Sequence, residues 1–168
     1  MKEDYTKDKL EDEGIVLGPN EGEKYSFGPN SFTFKVTSES SKNQLGVYEI
    51  VLGPMAIGAK LHYHRFMDET FIVIQGRLTV QMGDEEYEAS PGTVAYAPRF
   101  TPHGFRNDTE EEVKLILVFN PSSNREGFFR GLKDILTELP IDGEKYLKLY
   151  NKYDSFPVDS GDMIPTRE

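Results

Sequence analysis

The sequence contains no cysteine, and this absence excludes several kinds of chemistry. A chain without thiols forms no disulfides, zinc fingers or iron–sulfur clusters, and it offers no cysteine nucleophile. Tryptophan is also absent, and only three histidines occur among the 168 residues. A chain of this length corresponds to one domain. A chain without thiols suits a reducing compartment, so we expect a cytoplasmic protein.

Positive charge and long apolar runs are scarce as well. Lys and Arg total 19 against 29 Asp and Glu, which gives a formal net charge of −10. Such an acidic chain is repelled by nucleic-acid phosphates and by anionic membranes, so we expect neither as a partner. The longest apolar runs, Phe71–Ile74 and Leu115–Phe119, are far shorter than the ~20 residues that cross a bilayer.

The first segment, residues 1–13, is densely charged and lacks the apolar stretch of a signal peptide. We therefore predict a mobile, solvated N-terminal arm.

Residues 14–121 carry turn signals about every ten residues, a spacing typical of β-sandwiches and barrels. Apolar and polar residues alternate along Phe32–Val36 and Leu78–Met82, as they do in half-buried strands. The turn Met82–Glu85 predicts a hairpin between two strands. The continuous run Phe71–Ile74 predicts a strand covered on both faces. We predict an all-β core.

Residues 122–168 have a different, helical pattern. Ser123 and Glu126 have the spacing of a capping box, and apolar residues recur at helical intervals from Phe128 until Pro140. Asp142 is placed to cap a second helix. Helices this apolar need a partner surface, either the mouth or flank of the barrel or a dimer contact. We expect no second domain.

The three histidines provide the strongest chemical signal. His62 and His64 are two residues apart, so on a strand both imidazoles point to one face. A tight bend at Arg65–Asp68 would bring the Glu69 carboxylate beside them, and His103 lies in a later turn. A lone histidine is usually an ordinary surface or core residue, but two adjacent imidazoles repel when protonated and gain little from packing.

We therefore predict a metal site at His62, His64, Glu69 and His103. Three imidazoles and one carboxylate suit a divalent Fe, Mn, Ni, Co, Cu or Zn ion rather than Ca²⁺ or Mg²⁺. The imidazoles must be neutral to bind, so we expect metal loss below about pH 6.

These residues resemble the two motifs of the cupin superfamily. The first motif, Gly-x5-His-x-His-x3-4-Glu-x6-Gly, is matched by His62, His64, Glu69 and Gly76. The second, Gly-x5-Pro-x-Gly-x2-His-x3-Asn, is matched by Gly92, Pro98, His103 and Asn107. Ala56 and Phe100 stand where the motifs have glycine, which bears on loop shape and not on the ligands. The wider sequence is similar to small quercetin-dioxygenase-like monocupins.

The resemblance implies a double-stranded β-helix, the cupin jelly-roll barrel, with a C-terminal helical appendage and a homodimeric state. It also implies a dioxygenase that acts with O₂ on a small aromatic or enediol substrate, with Glu69 as both metal ligand and proton acceptor. A metal-assisted isomerase, epimerase or lyase is an alternative, and so is a non-catalytic module that binds a small molecule.

Several apolar residues could line a substrate cavity or could equally form ordinary core. They are Tyr48, Phe71, Val73, Tyr96, Phe105 and Phe119, with Tyr63 and Phe128 as further candidates. Arg65 and Arg99, near the ligand turns, could orient a substrate carboxylate or lie exposed beside a loop.

Overall fold

The structure, a computed structural model, describes residues 13–167, so nearly all of the predicted N-terminal arm lies outside the described residues. The described part forms eleven strands and two helices. In chain order they are β1 (Glu23–Phe27), β2 (Asn30–Val36), β3 (Gly46–Leu52), β4 (Ile57–Tyr63), β5 (Asp68–Gln75), β6 (Leu78–Met82), β7 (Glu85–Ala89), β8 (Val94–Ala97), β9 (His103–Arg106), β10 (Val113–Asn120), α1 (Arg125–Thr137), α2 (Gly143–Lys152) and β11 (Phe156–Pro157).

The strands form two antiparallel sheets that enclose the core. The six-stranded sheet has the order β1-β2-β3-β10-β5-β8, and the five-stranded sheet has the order β11-β4-β9-β6-β7. Each sheet joins strands that are distant in sequence, as a jelly roll requires. The predicted jelly-roll barrel with a C-terminal helical appendage is confirmed.

Alternation along the strands determines which side chains form the core. On β3 and β10, buried residues alternate with partly exposed ones. The hairpin predicted at Met82–Glu85 is present, and β6 pairs with β7 from Leu78 to Met82.

The expectation that Phe71–Ile74 is covered on both faces is wrong. Ile74 is half exposed, and only alternate residues of β5 are buried. The outer residue Ile72 pairs across strands with Ile116 of β10, so apolar neighbours on the outer face account for the unbroken run.

The first C-terminal helix does not begin with the predicted capping box. Ser123 and Asn124 both have left-handed φ values, 48° and 54°, whereas a capping serine needs an extended backbone. Asn124 takes the N-cap position without a side-chain hydrogen bond. The Glu126 carboxylate instead accepts hydrogen bonds from the Tyr48 hydroxyl and the Ser38 backbone N–H, 2.7 and 3.0 Å away.

The second helix begins as predicted, because the Asp142 side chain accepts hydrogen bonds from the first backbone N–H groups of α2. Both helices pack over the mouth of the barrel. The Phe129 ring of α1 lies 4.7 Å from Phe32 and 5.0 Å from Tyr48, between ring centroids. Beyond α2 the chain returns to the barrel, where β11 pairs with β4. Of the described helices, none is both long and apolar enough to span a membrane.

Candidate metal centre

Three strands bring the predicted ligands together inside the barrel. His62 lies on β4 and pairs across strands with His103, the first residue of β9. His64 follows the end of β4, and Glu69 is the second residue of β5 in the opposite sheet. The site therefore joins both sheets, and each of the four side chains is at most 2 % exposed.

The four ligand atoms converge on one point. One nitrogen or oxygen from each residue lies within 4.8 Å of all the others. The Glu69 Oε2 atom is 3.0 Å from His64 Nε2 and 2.8 Å from His103 Nε2. Two ligands at right angles, each about 2.1 Å from one ion, would be roughly 3.0 Å apart. These separations suit donors around a single metal ion.

Backbone carbonyls orient the three imidazoles. The Nδ1 atoms of His62, His64 and His103 lie 2.9, 2.5 and 2.8 Å from the carbonyl oxygens of Lys60, Asp154 and Thr101. A carbonyl accepts only, so each Nδ1 carries the proton and donates it. Each Nε2 therefore turns a lone pair into the centre of the site, which is the arrangement of a metal-ligating histidine.

Burial favours the neutral form of two of these imidazoles, those of His62 and His64. It lowers the pKa of His62 well below its usual value, and the neighbouring His103 and His64 lower it further. Burial likewise lowers the pKa of His64. For Glu69, burial alone would raise the pKa, but the contacts with His103 and His64 outweigh it and hold the pKa well below its usual range.

The resulting charge pattern fits a cation. With each Nδ1–H donated to a carbonyl, the short contacts from the Nε2 atoms of His64 and His103 to the Glu69 carboxylate are favourable only when a positive charge, a proton or a metal ion, lies between the atoms. Nitrogen and oxygen donors without sulfur suit divalent transition metals. The chain therefore contains a buried His-His-Glu-His cluster that could hold one such ion.

A partly open, largely apolar cavity adjoins this cluster beneath α1 and α2. Its volume is about 60 Å³. A buried water needs about 10–15 Å³ of such space, so the cavity holds roughly four waters or one very small organic molecule. Its polar lining residues are Asn30, His62, Glu69, Arg125 and Tyr150, and the apolar ones include Phe105, Phe119, Phe128 and Phe129.

The residues predicted to line a cavity occupy three kinds of position. Phe105, Phe119 and Phe128 line it. Tyr48, Phe71 and Val73 are fully buried in the surrounding core, where Phe71 contacts the rings of His103 and Phe105. Tyr63 stacks on Phe156 of β11.

The prediction that Tyr96 lines the cavity is wrong, because this residue is 57 % exposed on the outer face of the barrel. It pairs with Thr70 of β5, whereas the inward residues Glu69 and Phe71 pair with Ala97 and Ala95. Its strand phase therefore turns its side chain away from the cavity.

The two arginines near the ligand turns do not reach the cavity either. Arg65 lies over the Phe156 ring, with its Cζ 4.0 Å from the ring centroid. Arg99 pairs with Asp68 at 3.2 Å near the surface.

Two polar residues of the cavity were not singled out from the sequence, Arg125 and Tyr150. Both come from the C-terminal helices, and the Tyr150 ring centroid lies 5.6 Å from that of His62. Burial raises the pKa of Tyr150, so its hydroxyl stays protonated. One sequence signal could have identified Arg125. It lies three positions before Phe128 and four before Phe129, so it shares the apolar face of the predicted helix.

Comparisons with known proteins agree with this geometry. Residues 48–119 match the cupin domain family. Quercetin 2,3-dioxygenase from Bacillus subtilis is 29% identical over 119 residues, which are 71% of this chain and 34% of that protein. This chain thus spans about a third of that relative's length.

Solved structures show the same fold at low sequence identity. KdgF from a Halomonas species has a TM-score of 0.60 and 21% identity, over 68% of this chain and 99% of that one. A cupin-superfamily sugar phosphate isomerase from Silicibacter pomeroyi has a TM-score of 0.55 and 22% identity, over 65% of this chain and 77% of that one. At these identities the likeness concerns the fold.

Proposed function

Because this chain belongs to the cupin superfamily, we propose that it is a metal-dependent dioxygenase acting with O₂ on a small aromatic or enediol substrate. The observation that carries the proposal is that the His-His-Glu-His cluster borders an aromatic-lined cavity, which two of its members, His62 and Glu69, line directly. A site of this kind excludes water from a reactive substrate while it presents the reacting group to the metal ligands.

A divalent Fe, Mn, Ni, Co, Cu or Zn ion would be held by His62, His64, Glu69 and His103. When bound, the ion supplies Lewis acidity and, if it is redox active, one-electron chemistry with O₂.

The protein's own residues position the substrate and take its proton. The rings of Phe105, Phe119 and Phe128 form an apolar wall that holds a flat or hydrophobic substrate. Glu69 is ionised and lines the cavity, so its carboxylate is available to accept the proton of a substrate hydroxyl, and its low pKa restricts this role to the more acidic enediols and phenols. Deprotonation of the substrate prepares it for oxidation.

The lining favours this reaction class over sugar isomerisation. A sugar carries many hydroxyl groups, and each needs a hydrogen-bond partner when it is buried. Here the polar groups are few and most of the wall is apolar. The relative from Bacillus subtilis is called a quercetin 2,3-dioxygenase, which supports the same class. The small cavity favours a compact enediol or a single ring over a flavonol unless α1 and α2 move apart.

The test is oxygen uptake by protein reconstituted separately with Fe, Mn, Ni, Co or Cu. The substrates form a graded series of a four-carbon enediol, a catechol and a flavonol. We expect uptake with the smaller compounds, and we expect Glu69→Gln and His103→Ala to lose at least about 100-fold of it. Glu88→Gln, an exposed carboxylate on β7, is the control.

Anaerobic turnover of a hydroxy or keto compound would refute the dioxygenase proposal and show that the protein is an isomerase or lyase. Tight binding of metal and ligand without turnover would leave a binding module.

A further inference from the structure

Arg125 is a buried cation at the roof of the cavity. It is the first residue of α1 and only 4 % exposed. Its Nη1 donates hydrogen bonds to the Tyr153 carbonyl at 3.0 Å and to the Ser155 hydroxyl at 2.9 Å. These bonds hold one end of the guanidinium and leave another edge free.

No carboxylate lies within ion-pair distance of this guanidinium in the part of the chain that the structure describes; burial lowers the pKa of Arg125, and the charges of Glu69 and Asp154 offset this only from farther away. Arg125 forms no ion pair among residues 13–167. The adjacent Glu126 points away, toward Tyr48. A buried charge without a counter-ion is strongly unfavourable, so the protein must compensate for it or bind an anion beside it.

Aromatic rings compensate for part of that charge. The Arg125 Cζ atom lies 3.8 Å from the ring centroid of Phe128 and 4.7 Å from that of Phe119. Such contacts stabilise a desolvated cation. They satisfy the faces of the guanidinium but none of its N–H groups.

The Nε–H remains without a partner. Among the fully buried side-chain nitrogen and oxygen atoms of the described residues, Arg125 Nε is the only one that makes no hydrogen bond. Buried N–H groups are nearly always paired, so an orphan on a residue that lines a cavity indicates a place for a ligand atom. Arg125 lines the same cavity as His62 and Glu69, and the Phe119 ring contacts both Arg125 and His64.

We propose that Arg125 binds the anionic group of the substrate through its free Nε–H, so that the substrate is a small organic acid. Its carboxylate would lie against Arg125 while its enediol or hydroxyl oxygen faces the ligand cluster. A carboxylate would complete both the charge and the hydrogen bonding of the guanidinium. The orientation of the substrate, with its hydroxyl oxygen at the ligand cluster, rests on the proposed function, whereas the anion site at Arg125 has its own test.

The test compares glycolate with glycolamide, which differ only in the charge of the acid group. Binding to zinc-loaded protein is measured by calorimetry, because zinc does not react with O₂. We expect glycolate to bind about 10- to 100-fold more tightly than glycolamide. Arg125→Met keeps most of the side-chain volume and should abolish that preference. Arg130→Met removes a charge from the exposed side of the same helix and should preserve it.

Equal binding of the two compounds by the wild type would overturn the proposal, and so would a preference that survives in Arg125→Met. Should Arg125→Met fail to fold, Arg125→Lys keeps the charge but lacks Nε. We expect it to lose about 10-fold in glycolate affinity, and full retention would contradict the assignment. An Arg125-dependent preference without oxygen uptake would refute the dioxygenase and leave the anion site standing.

Discussion

Asp154 connects the C-terminal segment to a predicted metal ligand. Its backbone carbonyl accepts the Nδ1–H of His64 at 2.5 Å. Its carboxylate accepts the backbone N–H groups of Arg65 and Phe66 at 2.9 and 2.8 Å. The turn that carries the chain from His64 to Glu69 is therefore tied to the segment after α2. Replacing Asp154 tests whether this tie orders the metal site.

The substitution Asp154→Gly isolates the carboxylate. Asp154 has a φ of 59°, a left-handed conformation that glycine adopts without strain, so the backbone carbonyl should keep its place. Each lost charge-assisted hydrogen bond is worth about 1.5–3 kcal/mol, partly offset by about 1 kcal/mol of relieved strain and by rehydration of the turn. We expect the free energy of unfolding to fall by about 1–3 kcal/mol.

The effect on metal binding is the more informative result. Loss of a group that orients a ligand weakens metal affinity by about 10- to 100-fold. Because His64 retains its own carbonyl partner, we expect the lower end, about 10-fold. The affinity for zinc is measured by competition with a chelator, and the stability of the metal-free protein by urea unfolding. Asp159→Gly, an exposed aspartate further along the same segment whose side chain accepts a local hydrogen bond from the Gly161 N–H, is the control.

An unchanged zinc affinity in folded Asp154→Gly would refute the reasoning, because the turn would then hold His64 without help from the C-terminal segment. The zinc affinity of Asp154→Asn should lie between those of the wild type and Asp154→Gly, since asparagine tolerates the same φ and keeps one acceptor oxygen.

Three further predictions concern stability, acid sensitivity and assembly. Tyr48→Phe removes a buried hydroxyl bonded to Glu126 and should cost about 1–2 kcal/mol in urea unfolding, whereas Glu126→Ala leaves that hydroxyl unpaired and should cost about 2–4 kcal/mol. Burial lowers the pKa of His62 and His64, so the unfolded chain takes up protons first below about pH 6.5. Metal-free protein should therefore lose up to about 1.4 kcal/mol per histidine per pH unit below that value, and an urea midpoint that stays constant from pH 7 to 5 would contradict this. The homodimer stays a prediction, and we expect it to use the exposed edge strand β8, so Tyr96→Lys should shift the mass in light scattering to that of a monomer.

The ligand cluster could be predicted because its geometry is largely local. The spacing of His62 and His64 fixes a shared strand face, and Glu69 follows after one bend. His103 is more distant, so spacing alone does not place it beside the others, and the resemblance to the second cupin motif supports its inclusion. Asn107, the last residue of that motif, holds the chain after β9 in place, because its amide donates to the carbonyls of Gly53 and Glu111.

The roof of the cavity could not be predicted, because it depends on how α1 docks. Glu126 contacts Ser38, which lies 88 residues earlier, and no local pattern specifies that contact. Arg125 enters the cavity only because Glu126 is turned to the other side. Tyr96 was misplaced for a similar reason, since its face follows from the register between β5 and β8.

Phe100 has a strained backbone conformation at a position where the second cupin motif has glycine. It nevertheless keeps the loop shape that glycine favours. Its φ is 65°, and its backbone N–H donates to the His64 carbonyl at 2.7 Å. A bulky residue in this conformation costs about 1–2 kcal/mol. The side chain is 65 % exposed, so little packing offsets that cost.

Phe100→Gly should therefore stabilise the protein. Relief of the left-handed strain outweighs the greater flexibility of glycine in the unfolded chain, about 0.5–1 kcal/mol, and leaves a net gain of about 0.5–1 kcal/mol. The Tm should rise by about 1–4 °C for a chain of this size. Phe66 is equally exposed but has no positive φ, so Phe66→Gly should lower the Tm instead. If both substitutions lower the Tm alike, the Phe100 backbone is not strained, and the loop before His103 does not need the conformation that the motif's glycine provides.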